Sequence, residues 1–392
     1  MEHAEQVSHI KTLLARLDSG TNVDAGGVRY NPTSSYTDRE LARIERREFF
    51  DTHPQMVGLS GDLPEVGSFM TQDDLGTPML LVRSPSGRFR AFVNSCRHRG
   101  VVIEAEPRGR KRRFACPFHN WTYDADGALV GLPKSDHFGE LDRDDLGLVE
   151  LPAVERHGLL WVHPQPGGTL DPDALLGDEL AADFAGWDFG KLQWLGCDTY
   201  EVGCNWKLAM DTFGETYHFP VLHSDTLSND FYGNVQCYDE FGRHHRLILC
   251  RRSIEDARER PPSEWDITRY GLPVYWLFPN VQLIPSREVL FLVRAYPHPT
   301  EPGRHTSQIS FYLRPGIARD DAEFDFMAEA SRAFSNVIRD EDYVMSASQQ
   351  RSANSGALEN VVFGRNEPAL HHFHNTYRAA LGQELLPLHP TP

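Results

Sequence analysis

The sequence predicts an α+β protein of two domains: a small antiparallel β domain, then a larger domain that combines helices with an antiparallel sheet. Three observations carry this reading. The chain has 392 residues, long for a single hydrophobic core. From Met56 to about Pro164, short β-type runs alternate with Gly, Pro and Asp turns. After the stretch P-Q-P-G-G-T-L-D-P-D (164–173), helices mix with longer strand-like runs, and one long helical pattern follows. The expected divisions are an N-terminal helical segment over 1–50, the β domain over 51–165 and the second domain over 166–392.

The elements follow in order. The opening run M-E-H-A-E-Q-V-S-H-I-K-T-L-L-A-R-L reads as an amphipathic helix and lacks the apolar core and cleavage site of a signal peptide. No stretch reaches membrane-spanning length, so the expected location is cytoplasmic. Residues 38–53 start acidic and carry apolar positions at helical spacing, which predicts a second helix. In the β domain, P-M-L-L-V-R, F-R-A-F-V and H-G-L-L-W-V read as strands. In the second domain, V-Q-L-I-P, E-V-L-F-L-V-R-A-Y and S-Q-I-S-F-Y-L-R read as strands of one antiparallel sheet. A long helix is expected from about Asp320 to Gln350. The chain has no internal repeat, no low-complexity tract and no Gly-rich phosphate loop.

Composition narrows the partners. With 39 basic and 56 acidic residues, the net charge of −17 argues against nucleic acid or an anionic membrane as the main partner. One basic run, R-G-R-K-R-R (108–113), reads as a solvated loop or as a dock for an acidic redox protein. Six cysteines in a chain of this length do not make a disulfide framework. Cys197, Cys204, Cys237 and Cys250 are expected to be ordinary buried thiols.

Two constellations carry chemistry. In N-W-K-L-A-M-D-T-F-G-E-T-Y-H-F-P-V-L-H (205–223), Glu215, His218 and His223 follow at spacings of three and five. Two close imidazoles suit a borderline divalent metal, and with a distant carboxylate they would form a facial triad. Glu215 and His218 share a helix face. His218 and His223 do not, being about 140° apart on an ideal helix. Pro220 lies between them, and a π-like turn there would bring the rings together. The competing reading is two buried histidines on an amphipathic helix. Upstream, Cys96 and His98 form a C-x-H pair and Cys116 and His119 a C-x-x-H pair. Unrelated loop residues, structural zinc, and a [2Fe-2S] cluster with two thiolates on one iron and two imidazoles on the other all remain open. The interleaved order suits the cluster, because each loop then gives one ligand to each iron.

C-R-H-R-G followed by C-P-F-H-N-W-T-Y-D-A-D-G-A-L resembles the cluster signature of the Rieske-type non-haem iron oxygenases, large (alpha) subunit. N-W-K…E-T-Y-H-F-P-V-L-H resembles their mononuclear iron signature. The resemblance covers nearly the whole chain. It implies a Rieske domain followed by a catalytic domain of the helix-grip, START-like type. Cys96, His98, Cys116 and His119 would then hold the [2Fe-2S] cluster, and His218 and His223 a mononuclear Fe(II). Glu215 matches the carboxylate that bridges to a cluster histidine of the neighbouring subunit in a head-to-tail ring, usually a trimer. Asp211 matches the family's acidic position. Thr212 departs from the Asn that often follows it.

For the third iron ligand, Asp340, Glu341 and Asp342 compete. A helical face through Phe334, Ile338, Met345 and Ser348 places Glu341 nearest its centre, Asp342 at the edge and Asp340 away. The family pattern, an acidic pair with Gln350 and Arg351 in register, selects Asp342. The function implied is O2-dependent mono- or dioxygenation of a hydrophobic or aromatic small molecule, with O2 as co-substrate. Electrons would come from an NAD(P)H-dependent reductase, with or without a ferredoxin, because the chain has no flavin or nicotinamide fold. A small beta subunit accompanies some family members. The cavity lining is expected from Phe213, Phe219, Phe231, Tyr232, Tyr275, Trp276, Phe278 and Phe291. The alternative is demethylation or monooxygenation of a quaternary ammonium, methoxy or N-methyl substrate, with Tyr275 and Trp276 in a cation cage. A Rieske electron carrier or a zinc-stapled binding module would need no second metal site.

Overall fold

A computed structural model of the chain describes residues 1–316 and 322–390. These fall into two compact units. One comprises Arg46–Leu175 with Asp188–Gln193, the other Met1–Glu45, Leu176–Trp187 and Trp194–Pro392.

The smaller unit is built from short antiparallel strands. A five-stranded sheet runs in the order Glu150–Leu151, Phe89–Val93, Met79–Arg83, Ser68–Gln72, Arg108–Arg110, and two three-stranded sheets accompany it. Its core gathers Phe69, Leu80, Val82, Phe92, Phe114, Trp121 and Tyr123, and includes Cys96 and Cys116. In the basic run, Arg108 pairs with Asp62, Arg110 with Glu65 and Lys111 with Glu104. Most of that charge is neutralised in place, so the run is a weaker dock than its sequence suggests.

The larger unit is organised on a seven-stranded antiparallel sheet. Its strands lie in the order Gln193–Val202, His305–Leu313, Val289–Pro297, Val281–Pro285, Gly271–Leu277, His244–Arg251, Phe231–Phe241. Three of these strands contain the runs expected from the sequence. Gln193–Val202 is an edge strand, and Cys197 on it is exposed rather than buried, because an edge strand leaves its outer residues to solvent. The helix His3–Ser19 is tied to the sheet by Arg246, whose buried guanidinium pairs with Glu5, Asp183 and Asp239.

The long helix comes in two pieces, Ala322–Val337 and Tyr343–Asn354, joined by a π turn over Ile338–Asp342. Its expected start at Asp320 lies outside the described residues. The π turn inserts about one extra residue per turn and so advances the face that follows. Beyond it the buried positions are Tyr343, Ser346, Gln350 and Ala353, while Met345 is exposed. The single uninterrupted face drawn through Phe334, Ile338, Met345 and Ser348 is therefore corrected after Ile338.

Candidate functional site

In the smaller unit, Cys96 and Cys116 open two turns of the same design. The N–H of Gly100 bonds the carbonyl of Cys96 at 2.9 Å, and that of Asn120 bonds the carbonyl of Cys116 at 2.9 Å. Gly100 (φ 74°) and Asn120 (φ 57°) both close their turns in the left-handed region, which Gly and Asn tolerate best. Both thiols are buried and free, whereas His98 is partly exposed and His119 exposed. The two imidazoles meet with centroids 4.6 Å apart, and Trp121 stacks on His98 at 5.0 Å. Tyr123 lies 3.5 Å from the sulfur of Cys96 and accepts the N–H of Arg97 at 3.0 Å. Buried thiols beneath outward imidazoles on paired turns fit a cluster with thiolates on its inner iron and histidines on its outer one.

In the larger unit, a second set of ligand atoms converges. Nε2 of His218 and Nε2 of His223 are 3.2 Å apart, and Oδ1 of Asp342 lies 3.5 Å from the first and 3.4 Å from the second. One ligand atom from each residue lies within 4.8 Å of the others. The histidines flank a single helical turn, Phe219–Leu222, His218 at its N-cap and His223 at its C-cap. No π turn forms at Pro220. Proline is tolerated in the first helical turn, where its missing N–H has no partner to lose, so the backbone ladder stays closed. Nor do Glu215 and His218 share a helix. Glu215 starts a turn and accepts the N–H of Tyr217 and, at 3.1 Å, that of His218.

Each imidazole is backed by a carboxylate. Glu215 bonds Nδ1 of His218, and Glu341 bonds Nδ1 of His223 at 2.6 Å while accepting the Thr226 hydroxyl at 3.0 Å. Such outer partners fix the ring orientation and make the inner nitrogen more basic. Burial works against a charged His218, yet its bonds to Asp342 and Glu215 raise its pKa to about 9. His223 is raised in the same sense, against burial, by Asp342 and Glu341. Burial pushes Asp342 up, but its bonds to the two imidazoles hold it below the usual carboxylate range. The pocket therefore favours positive charge between these three side chains, which fits a divalent cation. The two-histidine, one-carboxylate set with an open side is the facial arrangement of non-haem iron. Of the other acids weighed, Glu341 is the outer partner of His223, and Asp340 points away to pair with Arg339.

A cavity adjoins this set. Phe213, Phe219, Phe231 and Phe334 line it, together with Leu249, Leu272, Val274, Ile284 and Ile338. Phe291 sits behind Phe334, with centroids 4.4 Å apart. Tyr232, Tyr275, Trp276 and Phe278 do not line it, which corrects the cation cage expected from Tyr275 and Trp276. Tyr275 follows Val274 and so points to the opposite sheet face, where it donates to Asp183 at 2.7 Å. Trp276 returns to the first face one step further along, where Phe373 covers it at 4.5 Å.

Asp211 stands apart from the cavity lining. It accepts the Tyr36 hydroxyl at 2.8 Å and bonds His374 at 2.8 Å. Around it the N-W-K segment is locked from behind. The N–H of Asn205 donates to Gln350 at 2.8 Å, and Lys207 forms a buried pair with Glu45. Thr212 lines the cavity, its hydroxyl turned to the carbonyl of Ala209 at 2.9 Å. Tyr36, Glu45 and His374 were not foreseen. They come from segments far away in sequence that carry no spacing signal.

Comparison with known proteins finds a known family over each of the two segments that carry these residues. Residues 53–150 match the Rieske [2Fe-2S] domain, and residues 189–383 match the ring hydroxylating alpha subunit (catalytic domain). Together these matches define an iron-dependent oxidoreductase of the non-haem class. The chain belongs to the Rieske oxygenases, as a large subunit, with a Rieske cluster, a mononuclear iron and O2 as its working parts. It is similar to the chloroplastic choline monooxygenase of Spinacia oleracea, 24% identical over 88% of this chain and 76% of that protein. It is also similar to the anthranilate 1,2-dioxygenase large subunit of Burkholderia cepacia, 32% identical over 63% of this chain and 56% of that one. In fold it resembles the crystal structure of a quaternary ammonium Rieske monooxygenase, with a TM-score of 0.77 at 19% identity over 92% of this chain and 96% of that chain. Rieske oxygenases draw electrons from a reductase or ferredoxin and form multimers. Among the described residues no helix is long and apolar enough to cross a membrane.

Proposed function

We propose that this chain hydroxylates a hydrophobic, aromatic small molecule, by mono- or dioxygenation. One observation carries the reading: four phenylalanines and a wall of aliphatic side chains enclose the space beside His218, His223 and Asp342. Apolar walls bind a hydrocarbon ring through buried area and dispersion, and they keep bulk water from the reacting carbon.

The chain's residues divide the remaining work. Cys96, His98, Cys116 and His119 would hold the cluster, and His218, His223 and Asp342 the Fe(II). When bound, the cluster stores and passes single electrons, and the iron supplies O2 activation. Glu215 and Glu341 hold the two imidazoles with their Nε2 atoms inward. Glu215 is the carboxylate that would link His218 to a cluster histidine of a neighbouring subunit in a homotrimer. Asp211, bonded to Tyr36 and His374, positions the end of the helix that leads into Glu215. The proposed divisions are a helical segment over 1–50, an electron-accepting domain over 51–165 and a catalytic domain over 166–392. The proposed partners are an NAD(P)H-dependent reductase, with or without a ferredoxin or a small beta subunit, in the cytoplasm.

The similarity to choline monooxygenase favours a second reading, a quaternary ammonium substrate. Against it, among the described residues no tyrosine or tryptophan lines the cavity, and the carboxylates that do, Glu215 and Asp342, are already bonded to the two imidazoles. Single turnover of the reduced holoenzyme with a panel of aromatic, polycyclic and quaternary ammonium compounds separates the two. Aromatic compounds should accelerate cluster reoxidation. Acceleration by the ammonium compounds alone would reverse the assignment.

A further inference from the structure

The cavity's apolar lining ends at a cation. On the strand His244–Arg251, side chains alternate between the two sheet faces, so Arg251 shares the face of Leu249, which lines the cavity. The register agrees. Leu249 is the Cα partner of Leu272, also in the lining, and Arg251 is the Cα partner of Phe231, another lining residue. The guanidinium of Arg251 lies over the Phe231 ring, 4.8 Å from its centroid. Arg251 therefore stands about 7 Å beyond Leu249 along the strand, at the end of the same apolar face.

This arginine is only lightly committed. It is partly buried, and burial lowers its pKa. The one hydrogen bond of its guanidinium to a described residue runs from Nε to the carbonyl of Gly271 at 3.3 Å. Asp230 and Glu288 are the acids whose charge it feels, and neither forms an ion pair with it within 4.0 Å. Placing a guanidinium on an apolar surface without an ion-pair partner is costly, and a planar fork of donors matches a carboxylate in two parallel hydrogen bonds. Among the described residues no lysine or arginine lines the cavity itself, and Arg251 is the cation that follows its lining on this strand.

We propose that Arg251 is a specificity-determining residue that binds a substrate carboxylate, so that the preferred substrates are ring-bearing acids whose hydrocarbon part fills the phenylalanine-lined cavity. The inference rests on the apolar reading of that cavity and adds the charge of the ligand to it.

The test titrates wild-type, Arg251→Gln and Arg251→Lys holoenzymes with benzoate, 3-phenylpropanoate and 4-phenylbutanoate, each against its primary amide, by calorimetry. Wild type should bind at least one acid about tenfold or more tighter than its amide, the scale of a charged hydrogen bond. Arg251→Gln should abolish that preference and Arg251→Lys should keep part of it. Added salt should weaken the acid and spare the amide. A merely structural role for Arg251 would shift acid and amide together. Equal binding of acids and amides by wild type, or a preference that survives Arg251→Gln, overturns the proposal and leaves the apolar reading intact. If no compound of either kind binds to enzyme with both centres filled, the apolar reading falls and the proposal with it.

Discussion

Glu341 and His223 meet carboxylate to Nδ1 at 2.6 Å, while the next residue, Asp342, faces Nε2 of the same ring at 3.4 Å. Two consecutive acids thus serve opposite edges of one imidazole, and the π turn over Ile338–Asp342 allows it. Asp342→Asn should empty the mononuclear site. Glu341→Gln should retain the site with iron affinity weakened about 10–100-fold, the usual loss for an outer partner. Iron content after dialysis against a chelator separates them. Full iron in Asp342→Asn beside an empty Glu341→Gln would exchange the two roles.

The two centres should fail independently. Cys116→Ala should bleach the cluster. His223→Ala should abolish turnover with the cluster spectrum intact. A visible spectrum unchanged in Cys116→Ala would exclude that thiol as a ligand.

Glu215 couples a backbone turn to the His218 ring. Its carboxylate receives the His218 N–H at 3.1 Å and bonds the ring nitrogen of the same residue. Glu215→Gln keeps one acceptor oxygen and removes the charge. Both metals should stay bound while electron transfer between the centres stops, seen as a reduced cluster that no longer reoxidises with substrate and O2. Normal turnover in this variant would refute the bridging role.

Gly233 packs closely against the His218–His223 turn. A Cβ there would meet the Pro220 ring at 2.6 Å and the Thr216 carbonyl at 3.2 Å. Gly233→Ala should therefore displace the His218–His223 turn, costing about 1–3 kcal/mol of stability as overpacking does and lowering iron retention. Unchanged melting temperature and iron content would show that the turn yields freely.

Glu367 gives a pH signature. Burial raises its carboxyl, and the nearby Glu215 and Asp211 add to the effect, to about 7 from an ordinary 4.5. The folded chain keeps this proton where the unfolded chain has lost it. Its contribution is therefore full below pH 4.5 and is lost as the pH rises toward about 7. Glu367→Gln should flatten that decline in apparent melting temperature between pH 5 and 8. An unchanged slope would mean that other groups cause it.

Several parts of this arrangement were legible in the sequence because their signals are local. C-x-H and C-x-x-H, and the spacing of Glu215, His218 and His223, lie in short runs whose residue types suit metals. The turns that close at Gly100 and Asn120 are written in those same runs. Three of the seven strands of the larger sheet are legible too, as apolar runs that the sheet buries on both faces.

What was not legible depends on contacts between distant segments or on breaks in periodicity. A helical wheel assumes 3.6 residues per turn, so it centred Glu341 and set Asp342 at the edge. One π turn reverses that order. Aromatic content alone drew Tyr275 and Trp276 toward the cavity, whereas strand alternation and the cover from Phe373 take them away. Arg251 carries no motif. Only the pairing of its strand with Phe231 brings it beside the apolar lining.

A single turnover tests the proposed hydroxylation most directly. Purified enzyme with both centres filled is reduced without oxygen, mixed with an aromatic acid, its amide or a quaternary ammonium compound, and exposed to isotopically labelled dioxygen. Cluster reoxidation is followed optically and products by mass spectrometry. Ring-bearing compounds, acids foremost, should speed reoxidation and leave with one or two labelled oxygen atoms on carbon. Reoxidation that no ring compound accelerates, with no label in any product, would contradict the proposed hydroxylation.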